Sequence, residues 1–171
     1  MDIYFLRHGT PVEQKEWKGS DHERPLTEDG VRQMIRETLG LATLGLRPDL
    51  IISSPFVRAQ QTADIVAKGL RLTDRLVADE RLAPGFGIHG LAALLHAYPR
   101  SGSIMLVGHE PDFSGVLGRL IGGGRVECQK GSLARIQMDD TKALTGVLVW
   151  LLPPDLLAGL ARGDRLPRET E

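Results

Sequence analysis

Arg7 and His8 stand together at the abrupt end of a short apolar run, Ile3 to Leu6. Arg58 falls in the first turn after a second apolar run, and His109 directly follows another, Ile104 to Val107. Imidazole can act as nucleophile or proton donor near neutral pH, and a guanidinium fork matches the oxygens of a phosphoryl group. A helix N-terminus favours anions over cations, so Arg58 is slightly unfavourable there unless an anion joins it. Each residue alone has a plainer reading: a solvated loop for Arg7-His8, a surface helix pair for Arg58, a cap for His109. Their shared placement at one sheet edge, beside helix N-termini, describes a pocket for a phosphate dianion.

That shared edge comes from the order of elements. Apolar runs at Ile3–Leu6, Asp49–Ser53, Leu76–Ala78 and Ile104–Val107 read as buried strands. Between them, Thr27 caps a helix with Val31, Met34, Ile35, Thr38, Leu39 and Ala42 at helical spacing. Ser54-Pro55 opens a second helix, with proline in its first position and Ala59, Thr62, Ala63 and Val66 facing inward. Leu91, Leu94, Leu95 and Tyr98 mark a third, and Pro111 opens a fourth that ends at Gly122-Gly123-Gly124. Strands Leu133–Met138 and Val147–Leu152 come next without a helix between them, before a short C-terminal helix and a charged tail from about residue 162. Alternating strands and helices predict a three-layer α/β fold: a mainly parallel sheet, helices on both faces and an antiparallel edge. Ligands of such sheets bind beyond the carboxyl ends of the strands.

Leu6-Arg7-His8-Gly9 resembles the signature of the histidine phosphatase, or phosphoglycerate mutase-like, superfamily. The resemblance continues in order through Arg24-Pro25-Leu26-Thr27, the stretch from Ser53 to Ala63, and Val107-Gly108-His109-Glu110-Pro111. The short length, the Gly-His-Glu-Pro element and Lys130-Gly131-Ser132-Leu133-Ala134 are similar to the phosphohistidine phosphatase branch. The likeness runs from residue 1 to about 150.

This resemblance implies a metal-independent phosphatase without cofactors, with His8 as nucleophile and a phosphohistidine intermediate that water hydrolyses. Arg7 and Arg58 would hold the phosphoryl oxygens, and His109 would donate a hydrogen bond to the same group. The arginines would lower the pKa of His8 and keep it neutral. A general acid in the superfamily lies after the third strand, which makes Glu80 the candidate and Asp79 the second. The implied substrate is phosphohistidine on a protein, with inorganic phosphate as product. A phosphatase of small phosphomonoesters and a phosphoprotein-binding module without turnover are the alternatives. Arg24 would reach a phosphate or a partner, or form a surface salt bridge. Trp17 would meet a partner or pack over the core edge.

Composition bounds the remaining classes. The chain has 171 residues, which fits one domain spanning 1–171 and burying about 70% of its unfolded surface. Its net charge of −1 argues against a protein that coats nucleic acid. No apolar run reaches membrane-spanning length, no signal peptide is visible, and the single cysteine, Cys128, allows no internal disulfide, so a cytoplasmic location is expected. Cysteine-phosphatase chemistry fails on spacing, since six residues on from Cys128 stands Ala134 and Arg135 comes one too late. His22-Glu23 and His109-Glu110 both lack the second histidine of a zinc-binding helix, so no metal site is expected.

Overall fold

The computed structural model describes residues 1–162; apart from Arg162, the expected charged tail lies outside the described residues. Strands β1 (Asp2–Arg7), β2 (Leu50–Ser53), β3 (Leu76–Ala78), β4 (Ser103–Gly108), β5 (Leu133–Asp140) and β6 (Thr145–Leu152) form one sheet. Its order is β3-β2-β4-β1-β5-β6. The first four pair in parallel, and β5 runs antiparallel to both β1 and β6. The antiparallel end therefore lies where two strands are consecutive, with no helix to carry the chain back.

Alternation along the strands makes the three layers. Ile3 and Phe5 of β1 and Ile104 and Leu106 of β4 face one cluster. There they meet α3 (Ile88–Ala97) and α4 (Asp112–Leu120) through Leu91, Leu94, Phe113 and Leu117. Tyr4, Leu6, Met105 and Val107 face the other cluster, against α1 (Glu28–Thr43), α2 (Val57–Leu70) and α5 (Pro154–Arg162). Phe113 stands edge-on to Phe5 with ring centroids 5.2 Å apart, and removing such a buried ring typically costs about 3–5 kcal/mol.

Two local expectations change. The second helix begins at Val57 rather than at Pro55, which leaves Arg58 in its second position. The Ser54 N–H donates to the Val107 carbonyl at 2.9 Å, extending the β2–β4 contact, and Ser54 Oγ accepts from the Phe56 N–H. Residues 54–56 are thus held as a turn. On α1 the buried stripe is Met34, Glu37, Thr38 and Leu41, whereas Ile35 and Leu39 are 50% and 56% exposed. The cause is α5, whose fully buried Leu157 packs on this side and draws the inward face round by about a residue. Thr27 caps α1 as expected, accepting from the Gly30 N–H at 2.9 Å. The helix α4 starts one residue after Pro111, and the three glycines beyond its end all have positive φ, as a helix-ending turn requires.

Candidate active site

The carboxyl ends of β1, β2 and β4 meet at a cavity of about 380 Å³. Arg7, His8, Arg58 and His109 all border it, so the four residues singled out by spacing converge. His8 and His109 are 6% and 3% exposed, with ring centroids 5.1 Å apart.

Hydrogen bonding orients the His8 ring. Its Nδ1 lies 2.7 Å from the Gly9 carbonyl oxygen, which only accepts, so Nδ1 carries the proton. Nε2 then holds a free lone pair, and the Arg58 Nε–H donates to it at 3.3 Å. Burial above all, then the charges of Arg58, Arg7 and Arg24, lower the His8 pKa to about 3 despite the opposing pull of the Gly9 carbonyl. The arginine effect read from the sequence is present, but desolvation exceeds it. His109 is likewise lowered to about 3, first by burial and then by His8 and Arg58, against an opposing pull from Asp21. Its Nε2 is 2.8 Å from Ser54 Oγ. Because Ser54 Oγ already accepts from Phe56, its own hydrogen is left for His109 Nε2, which puts the His109 proton on Nδ1.

Each cation is held from behind. Arg7 Nη1 donates to the Cys128 carbonyl at 2.8 Å. Arg58 donates to both the carbonyl and the carboxylate of Asp21, at 2.8 and 3.0 Å, and lies over the Phe56 ring. Burial of Asp21 opposes its ionisation, yet its hydrogen bonds and ion pairs with Arg24 and Arg58 outweigh that and lower its pKa. Arg24 pairs with Asp21 at 2.8 Å, donates to the Val12 carbonyl and also borders the cavity. Trp17 is half-buried within its own loop, its Nε1 donating to the Ser20 carbonyl.

The carboxylates after β3 are placed differently. Glu80 is exposed and stands outside the residues that border the cavity. Asp79 accepts from the Arg81 backbone and side chain and from Tyr98 Oη, and Arg81 holds its carboxyl below the usual range. The acids that border the cavity are Glu13, Asp21 and Glu110. Sequence reasoning misses Asp21, Ser54 and Lys130, although the Asp21-x-x-Arg24 spacing ahead of Pro25 is a usable signal for the first. Among the described residues, no group of three or more His, Cys, Asp or Glu side chains is placed to hold a metal ion. No helix among them is long and apolar enough to cross a membrane.

Comparison with known proteins points to one family. The model of the histidine phosphatase superfamily (branch 1) matches residues 3–84. An uncharacterized protein of Picosynechococcus sp. is 33% identical over 114 residues, 66% of this chain and 68% of that one. The phosphohistidine phosphatase SixA of Escherichia coli is 27% identical over 113 residues, 65% and 68% of the two chains. The structure of the protein histidine phosphatase SixA complexed with tungstate superposes with a TM-score of 0.81 at 24% identity, covering 92% of this chain and 99% of that one. The likeness in sequence and the likeness in fold thus converge from independent directions: the chain belongs to the histidine phosphatase superfamily, resembles its SixA branch, and is a phosphatase.

Proposed function

We propose that His8 is the nucleophile of a phosphatase acting on phosphohistidine in proteins. The observation that carries this is the His8 ring itself: Nδ1 is tied to the Gly9 carbonyl at 2.7 Å, and the lone pair of Nε2 is left beside Arg58. Nε2 attacks phosphorus as the bond to the leaving group breaks, giving a phosphorylated His8. Arg7 and Arg58 hold the phosphoryl oxygens as charge redistributes, and His109 adds a donor. Water then attacks the same phosphorus, inorganic phosphate departs, and His8 regains its lone pair.

The substrate reading rests on the leaving group. Asp79 is engaged with Arg81, and Glu80 lies away from the cavity. An imidazole leaving group depends less on a strong acid than an alkoxide does. The likeness to SixA supports the same substrate class. We set the activity in the cytoplasm, in keeping with the free, buried thiol of Cys128. A second reading, small phosphomonoesters, draws on Glu13 and Glu110 at the cavity, either of which can supply a proton to an alkoxide.

The test compares kcat/KM for a histidine-phosphorylated protein with that for an aryl phosphate monoester, with chelator present throughout. Preference for the phosphohistidine protein is expected. Equal or reversed preference would favour the small-molecule reading, and silence on both would leave a binding module.

A further inference from the structure

Beneath the cavity, α1 carries two polar side chains that the proposed reaction does not use. Glu37 is 1% exposed, and its Oε2 has no hydrogen-bond partner among the described residues. Its other oxygen accepts from Gln33 Nε2 at 2.7 Å. The same Gln33 nitrogen donates to the Lys130 carbonyl at 3.0 Å, and Gln33 Oε1 accepts from Thr10 Oγ1 at 2.9 Å. Gln33 therefore joins the segment two residues past His8 to the one bearing Lys130, whose side chain borders the cavity.

The contact is close as well as polar. Gly131 has φ +84°, and a Cβ there would lie 2.5 and 2.6 Å from the Glu37 carboxyl oxygens. Its N–H is shared between the carbonyls of Arg7 and His8, at 3.1 and 3.2 Å, and the Arg7 N–H donates to the Ser132 carbonyl. The backbone that presents Arg7 and His8 thus rests on residues 131–132, which rest in turn on Gln33 and Glu37.

We propose that the Gln33–Glu37 pair positions the phosphate pocket, holding the Lys130–Ser132 segment and the Arg7–His8 backbone in the geometry that grips a tetrahedral dianion only while Glu37 is neutral. This rests on the phosphate-binding reading of the His8 cavity. Burial raises the Glu37 carboxyl to about 8, despite the lowering effects of the Gln33 hydrogen bond and Arg36; Asp155 adds a smaller upward push. The groups facing it are Gln33 and Arg36 on α1 and Asp155 and Arg162 on α5, around a separate hollow of about 290 Å³, with the Lys130–Gly131 backbone on the other side. An ionised Glu37 with one donor, pressed against Gly131, is relieved by turning toward that hollow. The turn releases Gln33 and with it the Lys130 carbonyl.

The experiment measures tungstate binding by calorimetry between pH 6.5 and 9.5, a range in which tungstate stays a dianion. Wild-type affinity is expected to fall beyond pH 8 by up to about tenfold per pH unit, the limit for one ionisation. Glu37→Gln should match wild type at pH 7 and lack the fall, while Lys and Tyr titrations act on both proteins alike. Thr10→Val, which cuts the outer link to Gln33 without touching Glu37, should weaken binding at every pH and keep the fall. A pH-independent wild type, the same fall in Glu37→Gln, or unchanged affinity in Thr10→Val would each overturn the proposal. If Glu37→Gln does not fold, the wild-type profile and Thr10→Val still decide. Failure of wild type to bind tungstate at any pH would remove the phosphate pocket itself, a different failure that takes this device with it.

Discussion

The ends of β1 and β4 and the end of β3 carry polar residues of similar promise, and the fold treats them in opposite ways. The strands β1 and β4 are interior to the sheet, so the residues leaving them, His8 and His109, are covered by helices on both sides. Burial then drives both imidazoles to about 3. The strand β3 lies at the margin, and Glu80 beyond it is exposed while Asp79 turns to Arg81. A polar side chain acquires unusual chemistry when its strand is flanked on both sides. Position in the sheet decides this, beyond residue type.

The contrast breaks most sharply at His8. His8→Ala should lower turnover by roughly 10⁴ or more, as loss of a nucleophile does elsewhere; a variant keeping a tenth of wild-type kcat would remove His8 from the reaction. Next comes Arg58, where replacement by alanine should lower kcat/KM by about 10²–10³ and replacement by lysine should recover little, because the fork serves Asp21 and the cavity together. Loss of rate only in proportion to loss of fold, monitored by circular dichroism, would make Arg58 merely structural.

A smaller effect concerns pH. His8 and His109 bind protons more weakly folded, at about 3, than unfolded, near 6.5. The unfolded state therefore takes up more protons in between. Stability is fully present above 6.5 and is lost as pH falls toward 3, by up to about 1.4 kcal/mol per pH unit for each histidine. Urea titrations should show this slope, and His8→Asn should flatten it by about half. Smallest of all, Glu80→Gln should change kcat/KM on a phosphohistidine protein by less than about twofold, as surface changes away from a site do. A tenfold loss would erase the distinction between the two strand ends.

Much of this is legible in the chain. Apolar runs that stop at Arg7, Ser54 and His109 announce buried strands and the edge at which ligands gather, because hydrophobic alternation and breakers are local signals. What holds the site together is not local. Asp21 reaches Arg58 across 37 positions and Ser54 reaches His109 across 55, contacts that exist only once the strands are side by side. The spacing on α1 misleads for the same reason: a helix more than a hundred residues later decides which side is inside. Even the His8 pKa, whose direction the neighbouring arginines predict, owes more to burial than to them, and burial is a property of the assembled layers.

The bond from His8 Nδ1 to the Gly9 carbonyl also governs the fate of the phosphorylated ring. In the proposed cycle, phosphorylation at Nε2 leaves that Nδ1 proton in place, so the ring becomes formally cationic in surroundings that disfavour imidazolium down to about pH 3. A neutral carbonyl offers it less relief than a carboxylate would. The phosphoryl group is therefore held with high transfer potential: the features that keep His8 ready to accept it also make it ready to give it up to water.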